Sequence, residues 1–116
     1  MINLKDKYTG CLLGLAYGYA MGAPYEGGMI ERLVWRFIGK TADGCRRWTD
    51  DTQMSLDIAE SILAKGALFQ DDLAQRFAES YDWKRGYGPG AAKILKLIRR
   101  GYSWRDAMHS VYRDGS

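Results

Sequence analysis

Few residues of this 116-residue chain can bind a soft metal, and its apolar runs are too short to cross a membrane. Its thiol and imidazole donors are Cys11, Cys45 and His109, too few for a Cys/His zinc site. Two cysteines do not form the disulfide framework of a small secreted domain, which favours reduced thiols and a cytoplasmic location. The longest apolar run, residues 11–23, contains three glycines, whereas a membrane span needs about 20 apolar residues.

The chain also lacks a strong excess of charge. Its 17 Lys and Arg residues against 14 Asp and Glu residues give a net charge of +3. Basic pairs at residues 46–47, 84–85 and 99–100 lie near aromatic residues that can stack on bases. No recognised nucleic-acid-binding motif accompanies these pairs, so we do not expect nucleic acid as a partner.

No segment alternates apolar and polar residues as a β-strand does, whereas every clear segment has helical periodicity. The pattern predicts an all-α fold with helices near residues 4–21, 29–38, 51–65, 71–85, 91–100 and 103–112. Gly66 is predicted to end one of these helices, and Ser103 to cap the last. Because the chain has no repeat and no low-complexity linker, we expect a single domain over residues 1–116.

Apolar stripes on two of these helices are predicted to face the core. They are Leu33, Val34, Phe37 and Ile38 on the second helix and Met54, Ile58, Ile62 and Leu63 on the third. The first helix carries a glycine at every fourth position, from Gly10 to Gly22. Since each helical glycine costs roughly 0.5–1 kcal/mol relative to alanine, the repeat predicts the close approach of a neighbouring helix.

A compact set of oxygen donors stands at the predicted start of the third helix. Thr49, Asp50, Asp51 and Thr52 together offer two carboxylates flanked by two hydroxyls. Such hard ligands suit Mg²⁺, Mn²⁺ or Ca²⁺. Acidic residues are also expected there because they cap the helix and complement its dipole. The spacing alone favours this structural explanation over a metal site.

Two further segments have the composition of functional loops. Glu26 is a single carboxylate in the turn that follows the glycine-rich helix. A general base or a metal partner would fit there, but this residue taken alone favours a solvated loop glutamate. The sequence Gly86-Tyr87-Gly88-Pro89-Gly90 precedes another helix. Glycines there can expose backbone N–H groups to a phosphate, although a simple turn explains them as well.

Taken together, the segments resemble the ADP-ribosylglycohydrolase family, the relatives of the dinitrogenase-reductase-activating glycohydrolase. The resemblance depends on the order and spacing of four segments and covers essentially the whole chain. They are Gly10-Cys11-Leu12-Leu13-Gly14-Leu15-Ala16, Gly22-Ala23-Pro24-Tyr25-Glu26, Trp48-Thr49-Asp50-Asp51-Thr52-Gln53-Met54 and Gly86-Tyr87-Gly88-Pro89-Gly90.

The resemblance implies an all-α fold that binds two Mg²⁺ or Mn²⁺ ions and cleaves the bond between ADP-ribose and a modified side chain. It implies that Thr49, Asp50 and Asp51 are metal ligands. Glu26 would be the catalytic or water-positioning carboxylate beside them. By the same resemblance, Gly86, Tyr87 and Gly88 would line the part of the cleft that receives ADP-ribose.

The chain departs from the family pattern in two respects. The family has Asp in a Gly-Asp-x-x-Gly motif where this chain has Tyr19. Family enzymes are also more than twice as long, and their second metal cluster, Asp-x-Asp-Thr, lies in a later part of the sequence that has no counterpart here. We therefore expect Mg²⁺ or Mn²⁺ to bind weakly or not at all, because affinity follows the number and charge of the ligands.

These departures lead to two expectations of function. The first is a truncated module that is not a self-sufficient hydrolase and binds a macromolecular partner, one form of which is an inhibitor. The alternative is the N-terminal part of a Mg²⁺-dependent ADP-ribosylhydrolase whose second metal cluster is supplied elsewhere. In both cases we expect a protein partner or self-association to cover exposed apolar surface, and ADP-ribose is a candidate ligand.

Overall fold

The fold was analysed in a computed structural model that describes residue 1 and residues 3–113. Within these residues the chain forms six α-helices, two short 3-10 turns and no β-strand, which confirms the predicted all-α fold. The helices are α1 (Leu4–Gly22), α2 (Met29–Ile38), α3 (Asp50–Lys65), α4 (Gln70–Ser80), α5 (Pro89–Arg99) and α6 (Trp104–Val111). The 3-10 turns are Ala23–Tyr25 and Trp83–Arg85. In this part of the chain, none of the helices has the length and apolar character that a membrane crossing requires.

Several helix ends follow from local capping chemistry. The Asn3 side chain accepts a hydrogen bond from the Asp6 amide at 2.8 Å and caps α1. Ser103 caps α6 in the same way through the Asp106 amide at 3.1 Å, as predicted. Gly66 follows α3 with φ +72°, the left-handed conformation that favours glycine. Helix α5 begins two residues earlier than predicted, because Pro89 fits the first helical position.

Helix α4 ends five residues before the predicted boundary at residue 85. Its last carbonyl groups are satisfied by the guanidinium of Arg99, which extends back from α5. This group donates to the carbonyl oxygens of Ala78, Glu79 and Tyr81 at 2.9, 3.2 and 3.0 Å. A basic side chain that binds free carbonyls in this way stabilises a helix C-terminus. The chain then leaves the α-helix at Tyr81 and forms the 3-10 turn Trp83–Arg85.

The chain divides into two compact units. The first unit consists of Met1–Leu56 together with Lys84–Gly86, and it contains α1, α2 and the opening turns of α3. The second consists of Asp57–Trp83 and the residues from Tyr87 onward, so it contains the remainder of α3 and helices α4 to α6.

The second unit has an apolar core made by α4, α5 and α6. Its buried members are Ala78, Ile94, Ile98 and Ala107, with Ala74, Leu97, Trp104 and Val111 packed around them. Ile98 is only 4% exposed. The indole N–H of Trp104 donates to the Asp71 carboxylate at 2.7 Å, which joins α6 to the start of α4.

The predicted apolar stripe of α3 is wrong, because the buried side chains in this part of the helix are polar. Asp57 and Ser61 are buried, whereas Ile62 is 44% and Leu63 is 85% exposed. Each of these two buried polar groups has a partner on α4. The Ser80 hydroxyl donates to the Asp57 carboxylate. Ser61 donates to Asp72 at 2.7 Å. Paired in this way, the polar groups avoid the cost of unsatisfied burial.

The predicted stripe of α2 is also wrong. Leu33 and Phe37 are 54% and 80% exposed, and the buried side chain of this helix is Trp35. Its ring packs against two glycines of the first unit: a Cβ at Gly86 would lie 3.2 Å from Trp35 Cζ3, and one at Gly39 would lie 2.9 Å from Nε1. The absence of a side chain at Gly39 and Gly86 therefore leaves room for the Trp35 ring.

The glycine repeat of α1 does not receive a neighbouring helix in the part of the chain that the structure describes. A Cβ placed at Gly10, Gly14 or Gly18 would meet no atom within 4 Å, so the predicted close approach is wrong for these residues. No residue of α1 in the described structure is fully buried. Large apolar side chains such as Leu13 and Tyr17, 65% and 70% exposed, lie at its surface.

Candidate functional site

The loop that enters α3 is fixed by contacts around Trp48, within the first unit. The Trp48 indole N–H donates to the Gln53 side-chain oxygen at 3.1 Å. The Arg85 guanidinium lies over the Trp48 ring, 4.3 Å from its centroid. Arg85 also donates to the Trp48 carbonyl oxygen at 3.2 Å. These contacts hold the backbone next to Thr49 in place.

Two carboxylates follow in the first turn of α3. Asp50 is partly buried and Asp51 is exposed. Burial raises the pKa of Asp50, and the negative charge of Asp51 raises it further. Backbone N–H groups of Asp51 and Asp50 oppose this change by donating to the carboxylate. The net result is a carboxylate whose negative charge is unfavourable in its surroundings and which a cation would stabilise.

Glu26 belongs to the same region of the first unit. It follows the 3-10 turn Ala23–Tyr25, and its amide donates to the Ala23 carbonyl oxygen at 3.3 Å. A Cβ at Gly22 would lie 3.6 Å from Glu26 Oε1, so the side chain folds back over the end of α1. The charge of Glu26 contributes to the raised pKa of Asp50. The fold therefore brings Glu26, Asp50 and Asp51 within electrostatic range of each other.

Two buried hydroxyls accompany the carboxylates. Thr49 and Thr52 are 5% and 2% exposed, and their Oγ1 atoms have no hydrogen-bond partner among the residues that the structure describes. Leaving a buried hydroxyl unsatisfied costs about 1–3 kcal/mol. Such a hydroxyl can donate a hydrogen bond to a ligand, or its oxygen can coordinate a metal ion.

The chemistry of this donor set fits a hard divalent cation. Thr49, Asp50 and Asp51 offer only oxygen atoms, the ligand type that Mg²⁺ and Mn²⁺ prefer. The buried Thr49 hydroxyl has a free oxygen lone pair for such an ion. Within residues 1 and 3–113, however, no group of three or more His, Cys, Asp or Glu side chains converges as a metal site does. The donors present are too few for a complete coordination sphere.

The three residues predicted to line an ADP-ribose cleft have other contacts. Gly86, in the first unit, has φ +90° and lies against the Trp35 ring, so both its conformation and its surroundings require glycine. In the second unit, Tyr87 packs edge to face on Tyr81 with 5.0 Å between ring centroids. Gly88 precedes α5 and accepts the first hydrogen bond of that helix. Their role toward ADP-ribose stays a prediction.

Sequence reasoning missed the part played by Arg85. The sequence suggested a basic residue next to aromatic rings that could stack on bases, whereas the structure stacks Arg85 on Trp48 of the same chain. The two residues are 37 positions apart, so no local pattern pairs them. Tyr19, which replaces the family's Asp, is half-buried on α1.

Comparison with known proteins gives consistent matches. The family model described as ADP-ribosylglycohydrolase matches residues 1–116. The chain is 32% identical over 117 residues to an uncharacterized protein of Archaeoglobus fulgidus, covering 90% of this chain and 37% of that protein. It is 35% identical over 109 residues to the ADP-ribosylhydrolase ARH3 of Gallus gallus, covering 79% and 30% of the two chains.

A bacterial enzyme gives a shorter match. The chain is 37% identical over 84 residues to the ADP-ribosyl-[dinitrogen reductase] glycohydrolase of Rhodospirillum rubrum, covering 66% of this chain and 29% of that enzyme. The chain thus spans about a third of the length of the curated relatives that it matches. No solved structure matches it with statistical significance.

Proposed function

The chain belongs to the ADP-ribosylglycohydrolase family, and from this we propose that it provides one part of a catalytic centre that removes ADP-ribose from modified protein side chains. In this proposal Thr49, Asp50 and Asp51 hold a divalent cation, Mg²⁺ or Mn²⁺. Glu26 is the catalytic carboxylate next to them, and Gly86, Tyr87 and Gly88 contact ADP-ribose. The remaining metal ligands come from residues outside this sequence.

The observation that supports this proposal is the electrostatic influence of Asp51 and Glu26 on Asp50, together with a buried hydroxyl next to these residues. Burial raises the pKa of Asp50, and the charges of Asp51 and Glu26 raise it further, so this carboxylate is in surroundings that favour a bound cation. Functional sites are where such perturbed groups collect. The Thr49 hydroxyl, 5% exposed and without a partner in the described residues, supplies a further oxygen donor.

The chemistry expected of these residues is that of glycoside cleavage. A bound divalent cation supplies orientation of the ribose hydroxyls and a lower pKa for a coordinated water. Glu26, exposed at the surface of the first unit, takes a proton from the attacking water or positions it. The contacts of Arg85 and Gln53 with Trp48 keep the loop next to Thr49 from moving.

Mn²⁺ binding followed by electron paramagnetic resonance tests the metal-binding part of the proposal. We expect weak binding to the 116-residue chain and its loss in Asp50→Asn and Asp51→Asn. Asp6→Asn is the matched control, because Asp6 is also in the first turn of a helix, α1. Binding that persists in both site variants, or that is lost equally in the control, would contradict the proposed ligands.

Release of ADP-ribose from ADP-ribosylated dinitrogen reductase tests whether the site is partial. With Mg²⁺ or Mn²⁺, we expect little release by the 116-residue chain alone, because a few ligands leave the cation mostly hydrated. Rapid release that is abolished by both Asp50→Ala and Asp51→Ala would show instead that these residues form a sufficient catalytic site.

A second candidate function is binding of a protein partner, of which inhibition is one form. The exposed apolar side chains of α1 and α2 favour it: Tyr8, Leu13, Tyr17, Met29, Ile30 and Phe37 are 64% to 88% exposed. Exposed apolar patches are typical of interaction sites. Sedimentation of the chain at micromolar concentration tests self-association, and a stable monomer with no apolar dye binding would contradict this candidate.

The proposed setting is the cytoplasm. Cys11 and Cys45 are free thiols and both are exposed, a state that a reducing compartment maintains.

A further inference from the structure

The first unit contains a cavity that the residues of the proposed catalytic centre do not line. Its volume is about 310 Å³, at the lower end of the range for small-molecule sites. Ala20, Pro24 and Trp35 form its apolar wall, and Arg36, Lys40 and Arg46 form its polar wall. The cavity thus combines a largely apolar surface with three cationic groups.

The cationic groups of this cavity are not neutralised within the chain. Among the described residues, no acidic side chain lines the cavity, and none of the ion pairs includes Arg36, Lys40 or Arg46. All three side chains are exposed to solvent. A concave surface lined by charge of one sign concentrates ions of the opposite sign.

The backbone holds two of these cations opposite each other. Lys40 and Arg46 form an isolated antiparallel bridge. The flanking hydrogen bonds run from the Thr41 amide to the Cys45 carbonyl at 2.9 Å and from the Arg47 amide to the Gly39 carbonyl at 2.8 Å. Lys40 and Arg46 are therefore a non-hydrogen-bonded pair, the arrangement that brings opposed side chains closest. Like charges directly opposite each other destabilise such a pair.

Hydrogen bonds from Arg47 stabilise the loop that contains this unfavourable pair. Arg47 donates through Nε to the Ile38 carbonyl oxygen at 3.0 Å and through Nη2 to the Lys40 carbonyl oxygen at 3.4 Å. Arg47 is thus engaged with the backbone, while Lys40 and Arg46 face the cavity. An anion in the cavity would relieve the repulsion between them.

We propose that this cavity binds a ligand through its pyrophosphate group. Guanidinium groups bind phosphate oxygens in a bidentate manner, and a lysine adds a point charge. Two linked phosphates carry more negative charge and more anionic oxygens than one phosphate, and so match three cations better. The apolar wall with Trp35 accommodates an uncharged portion of the ligand. This proposal does not rest on the proposed hydrolase function.

Calorimetric titration of the 116-residue chain with inorganic pyrophosphate tests the site. The buffer contains EDTA and about 0.1 M salt, so that long-range charge effects are screened. We expect measurable binding, and about tenfold weaker binding in each of Lys40→Gln and Arg46→Gln. Arg32→Gln is the matched control. Like the two test variants it removes one positive charge, but Arg32 lies on α2 at an exposed position outside the cavity. Its affinity should equal that of the unsubstituted chain.

A second arm identifies the source of the pyrophosphate group. ADP that binds more tightly than pyrophosphate assigns the cavity to a nucleoside diphosphate, and equal or weaker binding assigns it to free pyrophosphate. Circular dichroism confirms that each variant is folded. The absence of binding to both ligands at millimolar concentration, or an equal loss in Arg32→Gln and Arg46→Gln, would overturn the proposal.

The same titration separates this site from the proposed catalytic centre. A double variant, Asp50→Asn with Asp51→Asn, should bind pyrophosphate as the unsubstituted chain does. Loss of Mn²⁺ binding in that variant with pyrophosphate binding retained supports two independent sites. If the double variant loses pyrophosphate binding while it remains folded, the cavity is not the binding site.

Discussion

The two units of this chain bury different kinds of side chain. In the second unit, Ala78, Ile94, Leu95, Ile98 and Ala107 are buried, and the buried polar residues Asp57 and Ser61 have hydrogen-bond partners. In the first unit, the buried apolar residues among those described are Ala23 and Trp35, and the hydroxyls of Thr49 and Thr52 have no partner.

This difference indicates where the chain derives its stability and where it is suited to binding. The second unit is stabilised by apolar burial and by hydrogen bonds between its buried polar groups. The first unit contains groups whose free energy would fall on binding, namely like charges and unpartnered buried hydroxyls. Functional residues often retain such locally unfavourable features.

Shortening a core side chain of the second unit should give the largest effect on stability. Ile98→Ala should lower the free energy of unfolding by about 3–4 kcal/mol, because it removes buried methyl groups and leaves a cavity. In the first unit, Leu13→Ala should change it by less than about 0.5 kcal/mol, because Leu13 is 65% exposed. Urea unfolding followed by circular dichroism measures both. Equal losses would mean that α1 is buried in solution and that the contrast between the units does not hold.

Removing the buried carboxylate of α3 should give the next largest effect. Asp57→Ala should destabilise the chain by about 2–3 kcal/mol, because the partly buried Ser80 hydroxyl loses its acceptor. Glu60→Ala is the control: Glu60 is 66% exposed in its contact with Arg76, and such pairs contribute about 0–1 kcal/mol. The same unfolding curves provide the comparison. A loss below that of the control would show that apolar packing alone fixes α3 against α4.

Two substitutions test whether a hydrogen-bond partner decides how a buried hydroxyl affects the stability of the fold. Thr52→Val should stabilise the chain by about 1 kcal/mol in the absence of ligands, because it removes an unpartnered buried hydroxyl. Ser61→Ala should destabilise it by about 1 kcal/mol, because Asp72 loses a donor. Melting temperatures of the two variants give the signs directly. Destabilisation by Thr52→Val would indicate that this hydroxyl is satisfied in solution.

The smallest effect is a difference in pH dependence between Asp50 and Asp72. Burial and the charge of Asp51 raise the pKa of Asp50 above its ordinary value of 3.8. The folded state therefore binds the carboxyl proton of Asp50 more tightly than the unfolded chain does. The contribution of Asp50 to the free energy of unfolding consequently falls as pH rises above 3.8. Hydrogen bonds from Arg76 and Ser61 lower the pKa of Asp72. Its contribution is therefore present above 3.8 and lost as pH falls through the lowered pKa.

Unfolding free energies measured from acidic to neutral pH should show these opposite signs. Relative to the unsubstituted chain, Asp50→Asn should gain stability as pH rises, and Asp72→Asn should lose it. Asp43→Asn, in an exposed turn, serves as the control for the loss of one charge. If the free energy of unfolding changed with pH equally in the two variants, Asp50 would not have the raised pKa assigned to it.

Local sequence signals predicted the helices well. Ser103 and Gly66 act on the residues next to them, so their positions alone fix helix ends. The buried faces were predicted less well, because burial depends on what packs against the helix. Ile62 belongs to a regular apolar stripe and is 44% exposed. Asp57 is buried with a hydrogen-bond partner, Ser80, that lies 23 positions away, too far for a local sequence pattern to pair the two.

The candidate site was predictable to the extent that its residues are adjacent in the sequence. Asp50 and Asp51 begin a helix as expected, because acidic residues favour a helix N-terminus. The association of Glu26 with them was an expectation from family resemblance, since no spacing rule connects a turn to a helix 24 positions later. The cationic cavity was not predicted, because it depends on a bridge between Lys40 and Arg46.

The end of α4 has a consequence for the order in which this protein becomes structured during synthesis. Arg99, which satisfies the carbonyl of Tyr81, is added 18 residues after it. When residues 70–85 are being added, Arg99 is not yet part of the chain, so its contacts with the carbonyls of Ala78, Glu79 and Tyr81 cannot form. Translation must therefore pass Arg99 before this end of α4 has all the hydrogen bonds of the finished fold.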